Sequence, residues 1–270
     1  MQYALLACLL ASIGCGVIGT LVVVKRIGFL AGGIAHTVLA GMGIAFFYGA
    51  SPVLGAIIAA LLSAVLIGWI KLQWRQDEDI LIAAFWSVGM AIGILFISQT
   101  PGYNIDLMSY LFGNILLVSE SDLRLMLLLD CAIIATVLIF YKQFLATVFD
   151  EEYASLCGVN VKFFYIFMLC MIALTVVLLI QIVGLILIIA LLILPAASAA
   201  QFSSSVSRMM VIAVLLSIFI TISGLIISYQ PDLPSGSTII VLAGFVYLIS
   251  ILLRGFIDRR RKRALINDGS

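Results

Sequence analysis

The chain has 270 residues, of which 64% are hydrophobic and 10% charged, with a formal net charge of +1 and a mean hydropathy of +1.30. This composition excludes a soluble globular domain and leaves an all-α polytopic membrane protein. The near-neutral balance points to no nucleic acid and to no strongly acidic partner.

The apolar run from Ala4 to Val24 is long enough to span a bilayer, and Met1-Gln2-Tyr3 lacks a basic leader region, so the run is expected to be retained as the first helix. Next comes Arg26 to Gly43, which carries His36, the single histidine of the chain. A helix starting near Gly28 places His36 about 12 Å along its axis, inside a hydrocarbon layer ~30 Å thick. Phe29, Gly32, Gly33, Ala40 and Gly43 share roughly its face, and small residues let a second membrane helix come close. The imidazole is either a hydrogen bond between two helices or a ligand or gate on a permeation path.

Nine spans are predicted, near 3–24, 28–49, 52–70, 80–98, 123–141, 162–181, 184–201, 209–228 and 238–256. An eight-span alternative treats 28–70 or 181–201 as broken or re-entrant. With nine spans, Lys25, Arg26, Lys71, Arg75, Lys142, Lys162, Arg208, Arg254 and the tail cluster from Arg259 to Arg263 fall on one side, and Arg124 alone on the other. That side is expected to be cytoplasmic, with the C-terminus inside and the N-terminus outside. Residues 1–256 would form the transmembrane domain and 257–270 a basic tail.

Gly89 and Gly93 form a GxxxG packing signal in the fourth span. The outer loops Thr100–Asp106 and Gln230–Gly236 combine proline, glycine and acid, as turns do, and 106–118 suits a short helix at the outer surface. Asp130 is the one carboxylate placed within a span, where it either marks an ion path or pairs with a polar neighbour. Between spans five and six, about 142–161, lies a short extramembrane helix: Asp150 suits its N-cap, Glu151 and Glu152 its first turn, and Gly158 its stop. It either links two spans or seats itself in a soluble partner. In span seven, Pro195 removes a backbone donor and leaves the Leu191 carbonyl without its partner, which predicts a kink. The five cysteines form no CxxC pair, and Cys8 and Cys15, on one helix face, read as packing.

Taken together, these stretches resemble the permease subunits of bacterial ABC importers for zinc, manganese or iron. The likeness covers nearly the whole chain and rests on Val24-Lys-Arg-Ile-Gly-Phe-Leu-Ala-Gly-Gly-Ile-Ala-His36, on Asp106-Leu-Met-Ser-Tyr-Leu-Phe-Gly113, and on Asp150-Glu-Glu-Tyr-Ala with Gly158-Val159. It rests also on Val183-Gly with Pro195-Ala-Ala197, and on Pro234-Ser-Gly-Ser237. The resemblance implies a homodimeric or paired permease, a cytoplasmic ATP-binding subunit and an extracytoplasmic metal-binding protein. It makes His36 a transient metal contact. Asp150, Glu151, Glu152, Tyr153, Ala154, Leu156 and Gly158 become the coupling surface for the ATPase, with Tyr153, Ala154 and Leu156 expected to carry most of the docking. Gly32, Gly33, Asp130 and Pro195 are left to the pathway or to helix packing. The family's aspartate four residues before the histidine is here Gly32, and the second histidine of zinc-type members would fall near Trp86 or Ser87.

No cofactor is expected to stay bound; the cargo is a divalent ion, zinc or manganese, with imidazole slightly favouring zinc. The chain has no GxxxxGK[ST] phosphate loop, so ATP hydrolysis is assigned to a separate subunit and the chain is not an enzyme. Competing readings are an ion-coupled carrier using Asp130, an importer of a siderophore or cobalamin chelate, and a membrane enzyme.

Overall fold

The computed structural model describes residues 2–74, 78–100, 115, 118–229 and 233–267. The two proline- and glycine-containing outer stretches, apart from their edges, and nearly all of 106–118 lie outside the described residues. The described chain forms ten helices and no strand: α1 (Gln2–Lys25), α2 (Gly28–Phe47), α3 (Pro52–Trp74), α4 (Glu78–Ser98), α5 (Glu120–Ile139), α6 (Tyr141–Phe149), α7 (Glu151–Leu156), α8 (Val161–Ala200), α9 (Val206–Tyr229) and α10 (Ser235–Asn267).

Among the described residues, seven helices have the length and apolar character to cross a membrane, and α5 with α6, bent by 73°, makes an eighth span if counted as one. This agrees with the smaller of the two predicted counts. The predicted seventh span is not a full crossing. Within α8 the backbone leaves helical geometry at Gly184 (φ 73°, ψ 167°), a conformation open essentially to glycine alone. The piece that follows, Ile188–Ala200, is about 20 Å long at 1.5 Å per residue, short of the ~30 Å hydrocarbon layer. The break therefore falls at Gly184 and not at Pro195, which sits buried in the helical piece after it.

Helices α1, α2 and the first half of α8 form the centre: the most apolar windows of these are 67%, 67% and 72% buried, against 22% for α4 and α10, which face outward. Close approaches are built on glycine. A Cβ on Gly41 would stand 2.1 Å from the Gly55 carbonyl oxygen, and one on Gly19 2.0 Å from that of Leu192, so α2 meets α3 and α1 meets α8 backbone to backbone. Gly89 and Gly93 press α4 onto Thr37 and Leu39 of α2, as the GxxxG spacing predicts. Hydroxyls join helices where side chains are longer: Ser12 lies 3.1 Å from Thr221, and Thr37 2.9 Å from Ser63. Cys8 and Cys15 are buried packing residues.

Candidate functional site

His36 sits in the middle of α2, half-buried, with its ring stacked on that of Trp86 from α4 at 4.0 Å between centroids and 15° between planes. Its Nδ1 is buried and has no hydrogen-bond partner among the described residues. That nitrogen therefore makes no bond between helices, and an unpaired polar atom in a low-dielectric interior is costly. Of the neighbours expected on its face, Gly32, Gly33 and Gly43 are buried in helix contacts, whereas Phe29 is 77% exposed. Gly33 lies against Ile82 and Gly43 against Gly93, both on α4.

Next to this pair is a cavity of about 370 Å³ lined by Arg26, Phe29, Gly32, Trp86, Ile189 and Ile193 among others. It reaches from the α1–α2 turn to the indole. It is shaped by the end of α1, the turn, the first turns of α2, Trp86 of α4, and the short helical piece after Gly184, which runs antiparallel to α2 so that Ile189 faces Gly32 and Ile193 faces Gly28. At the turn, Arg26 adopts φ +62°, a left-handed conformation in a non-glycine residue. It closes α1 with Arg26 N–H donating to the Val23 carbonyl and Ile27 N–H to that of Val22.

Asp130 of α5 is 3% exposed, and neither carboxylate oxygen has a hydrogen-bond partner among the described residues. It lies against Gly14, beside Thr175, apart from the lining of the cavity under Trp86. Among the described residues, no three His, Cys, Asp or Glu side chains group closely enough to hold a metal.

A second cluster stands at the end of the bundle where α1 and α3 finish and α8 begins. The Asp150 side chain accepts the Tyr153 N–H and caps α7 at 2.9 Å. Gly158 (φ +80°) ends it, with Gly158 N–H donating to the Ser155 carbonyl and Val159 N–H to that of Ala154. Lys25 donates to the Glu151 carboxylate at 2.6 Å and to the Thr147 carbonyl at 2.9 Å, tying α7 and α6 to α1. Lys71 of α3 reaches the Tyr165 hydroxyl at 3.1 Å. Glu152, Tyr153 and Leu156 point outward, the last two 62% and 87% exposed. Ala154, expected on the docking face, is instead fully buried: it turns inward to anchor α7 and has no surface for a partner.

The sequence reading missed the Trp86 stack and the Lys25 anchor. In the sequence Trp86 marks only the place of an absent histidine, and Lys25 is an orienting charge and part of the family-like stretch before His36; neither contact leaves a local pattern, since each joins residues far apart in the chain.

The family described as the ABC 3 transport family matches residues 1–254. A probable metal transport system membrane protein of Chlamydia trachomatis is 42% identical over 257 residues, covering 93% of this chain and 88% of that one. A manganese transport system membrane protein, MntC, of Listeria monocytogenes is 33% identical over 252 residues, covering 93% and 90%. Among solved structures, PsaBC from Streptococcus pneumoniae in complex with Fab superposes with a TM-score of 0.84 at 33% identity, covering 92% of this chain and 90% of that one.

Proposed function

The chain belongs to the ABC 3 transport family, and from that premise we propose that it is the permease subunit of an ATP-driven importer for a divalent transition metal. One observation carries the reading: the single imidazole of the chain lies half-buried among the helices, with a nitrogen that no described residue partners and a cavity close by. A lone imidazole binds such ions without trapping them, since stable zinc sites use about four ligands and a transported ion must leave as readily as it enters. Manganese is the first cargo to test, because relatives are named for manganese transport. Imidazole accepts zinc and iron as well, and the slight preference for zinc drawn from ligand softness has no further support.

In this reading the end carrying Lys25, Lys71 and α7 faces the cytoplasm of a bacterial inner membrane, where Tyr153 and Leu156 meet an ATP-binding subunit. Asp150 and Gly158 fix the shape of α7, and Lys25–Glu151 fixes its attachment. The C-terminal part of α10 lies on the same side, because the short piece Ile188–Ala200 carries the chain back to the Lys25 end, where Ala197 stands by Val22 and Val23. An extracytoplasmic metal-binding protein delivers the ion, and a second permease copy completes the path. The test is uptake of radioactive manganese and zinc by proteoliposomes holding the permease, its ATPase and its binding protein. ATP-dependent accumulation of either ion is expected, and accumulation of neither would reject the reading.

A further inference from the structure

We propose that Trp86 is the inner gate of the path, the side chain that decides when a cation at His36 can reach the cytoplasm; this rests on the transporter reading above. The cavity beside the α1–α2 turn is lined by Trp86 and by Gly32, one helical turn before the histidine, but His36 is not part of its wall. The indole stands between them, parallel to the imidazole at 4.0 Å. Gly32 makes the arrangement possible. A Cβ there would lie 3.0 Å from Ile189 Cδ1 and 3.9 Å from the Trp86 ring, so the absence of a side chain leaves the space beside the indole open.

The helices that carry the two rings cannot easily part. Gly89, one turn beyond Trp86, touches the backbone of Thr37, one residue beyond His36, and Gly93 touches that of Leu39. Opening therefore falls to rotation of the indole into the cavity and not to separation of α2 from α4. Among the described lining residues Arg26 alone is charged and the rest are mostly apolar, and an apolar space of this kind does not solvate a bare ion. With the indole in place, a cation at His36 has no watered way down. When it swings aside, water follows and the ion is released by rehydration.

The test uses the fact that His36 is the only histidine. In inside-out vesicles holding the whole complex, diethyl pyrocarbonate modification of His36 is followed by mass spectrometry of its peptide. Trp86→Ala is expected to react about tenfold faster than wild type, the upper scale of one lost aromatic stack, with Trp86→Phe between the two. Phe85→Ala, a neighbour on α4 outside this cavity's lining, should react at the wild-type rate. Equal rates in Trp86→Ala and wild type, or the same rise in Phe85→Ala, overturn the gate. A second arm measures manganese leak without ATP from loaded vesicles: Trp86→Ala leaks and wild type holds. If wild type moves no metal even with ATP, the transporter reading fails, while the reagent rates still decide whether the indole shields His36.

Discussion

Lys25, the last residue of α1, holds Glu151, the first residue of α7, at 2.6 Å. The lysine side chain is only 13% exposed and also binds the Thr147 carbonyl, so the short helix at the bundle end is attached to the core helix that leads into the His36 segment. In the proposed importer, a push on α7 from the ATPase would have a direct route to the α1–α2 turn through Lys25.

Breaking that attachment should separate ATP turnover from metal movement. Glu151 is half exposed, so the pair adds only about 0–1 kcal/mol of stability, and Glu151→Gln and Lys25→Met should fold and retain the ATPase subunit. The ion moved per ATP should fall in each, and no further in the double variant. Additive losses would show that the two residues act separately.

Tyr153 and Leu156 should carry the ATPase contact. Leu156→Ala and Tyr153→Ala are expected to reduce co-purification of the ATPase subunit, each by about 1–2 kcal/mol as truncated interface anchors do. Gly158→Val should act through α7 itself, because a left-handed backbone costs a non-glycine residue roughly 1–2 kcal/mol. Unchanged co-purification in the Tyr153→Ala, Leu156→Ala double variant would make α7 a connector only.

Gly32→Asp should rebuild a one-turn acid–histidine pair. Among the described residues, the one tight contact of a Cβ there is the flexible tip of Ile189 at 3.0 Å, which can give way. Manganese retention should rise and turnover fall, measured by dissociation of the ion from the purified complex. Faster dissociation than in wild type would contradict the ligand placement.

Asp130 should be a packing residue. It is buried without a partner among the described residues, and burying an unpaired charge costs several kcal/mol, so Asp130→Lys should abolish accumulation of the protein in the membrane. Asp130→Asn, similar in shape and neutral, should keep both accumulation and uptake. Normal accumulation with lost uptake in the Asn variant would give the carboxyl a transport role instead.

Much of this was legible in the sequence, for physical reasons. Hydropathy and length mark spans because lipid forces each crossing to satisfy its own backbone; Gly89 and Gly93 marked a helix contact, and Asp150 with Gly158 marked both ends of α7. The α8 region reads either as two crossings or as one crossing followed by a broken piece because its composition is apolar throughout, and the backbone angles at Gly184 with the short piece after it decide for the second. Ala154 was misplaced because a six-residue helix gives too little periodicity to tell its inner face from its outer one. The Trp86 and Lys25 contacts depend on which helices become neighbours, which no local pattern carries.

The most direct test of the central claim is ATP-driven manganese and zinc uptake by proteoliposomes containing wild-type or His36→Ala permease. The ATPase subunit should co-purify equally with both, because the glycine-mediated contacts of α2 do not involve the imidazole. Uptake by His36→Ala should fall at least about tenfold, the scale of one lost metal contact. Equal uptake by the two proteins would contradict the assignment of His36 to the path.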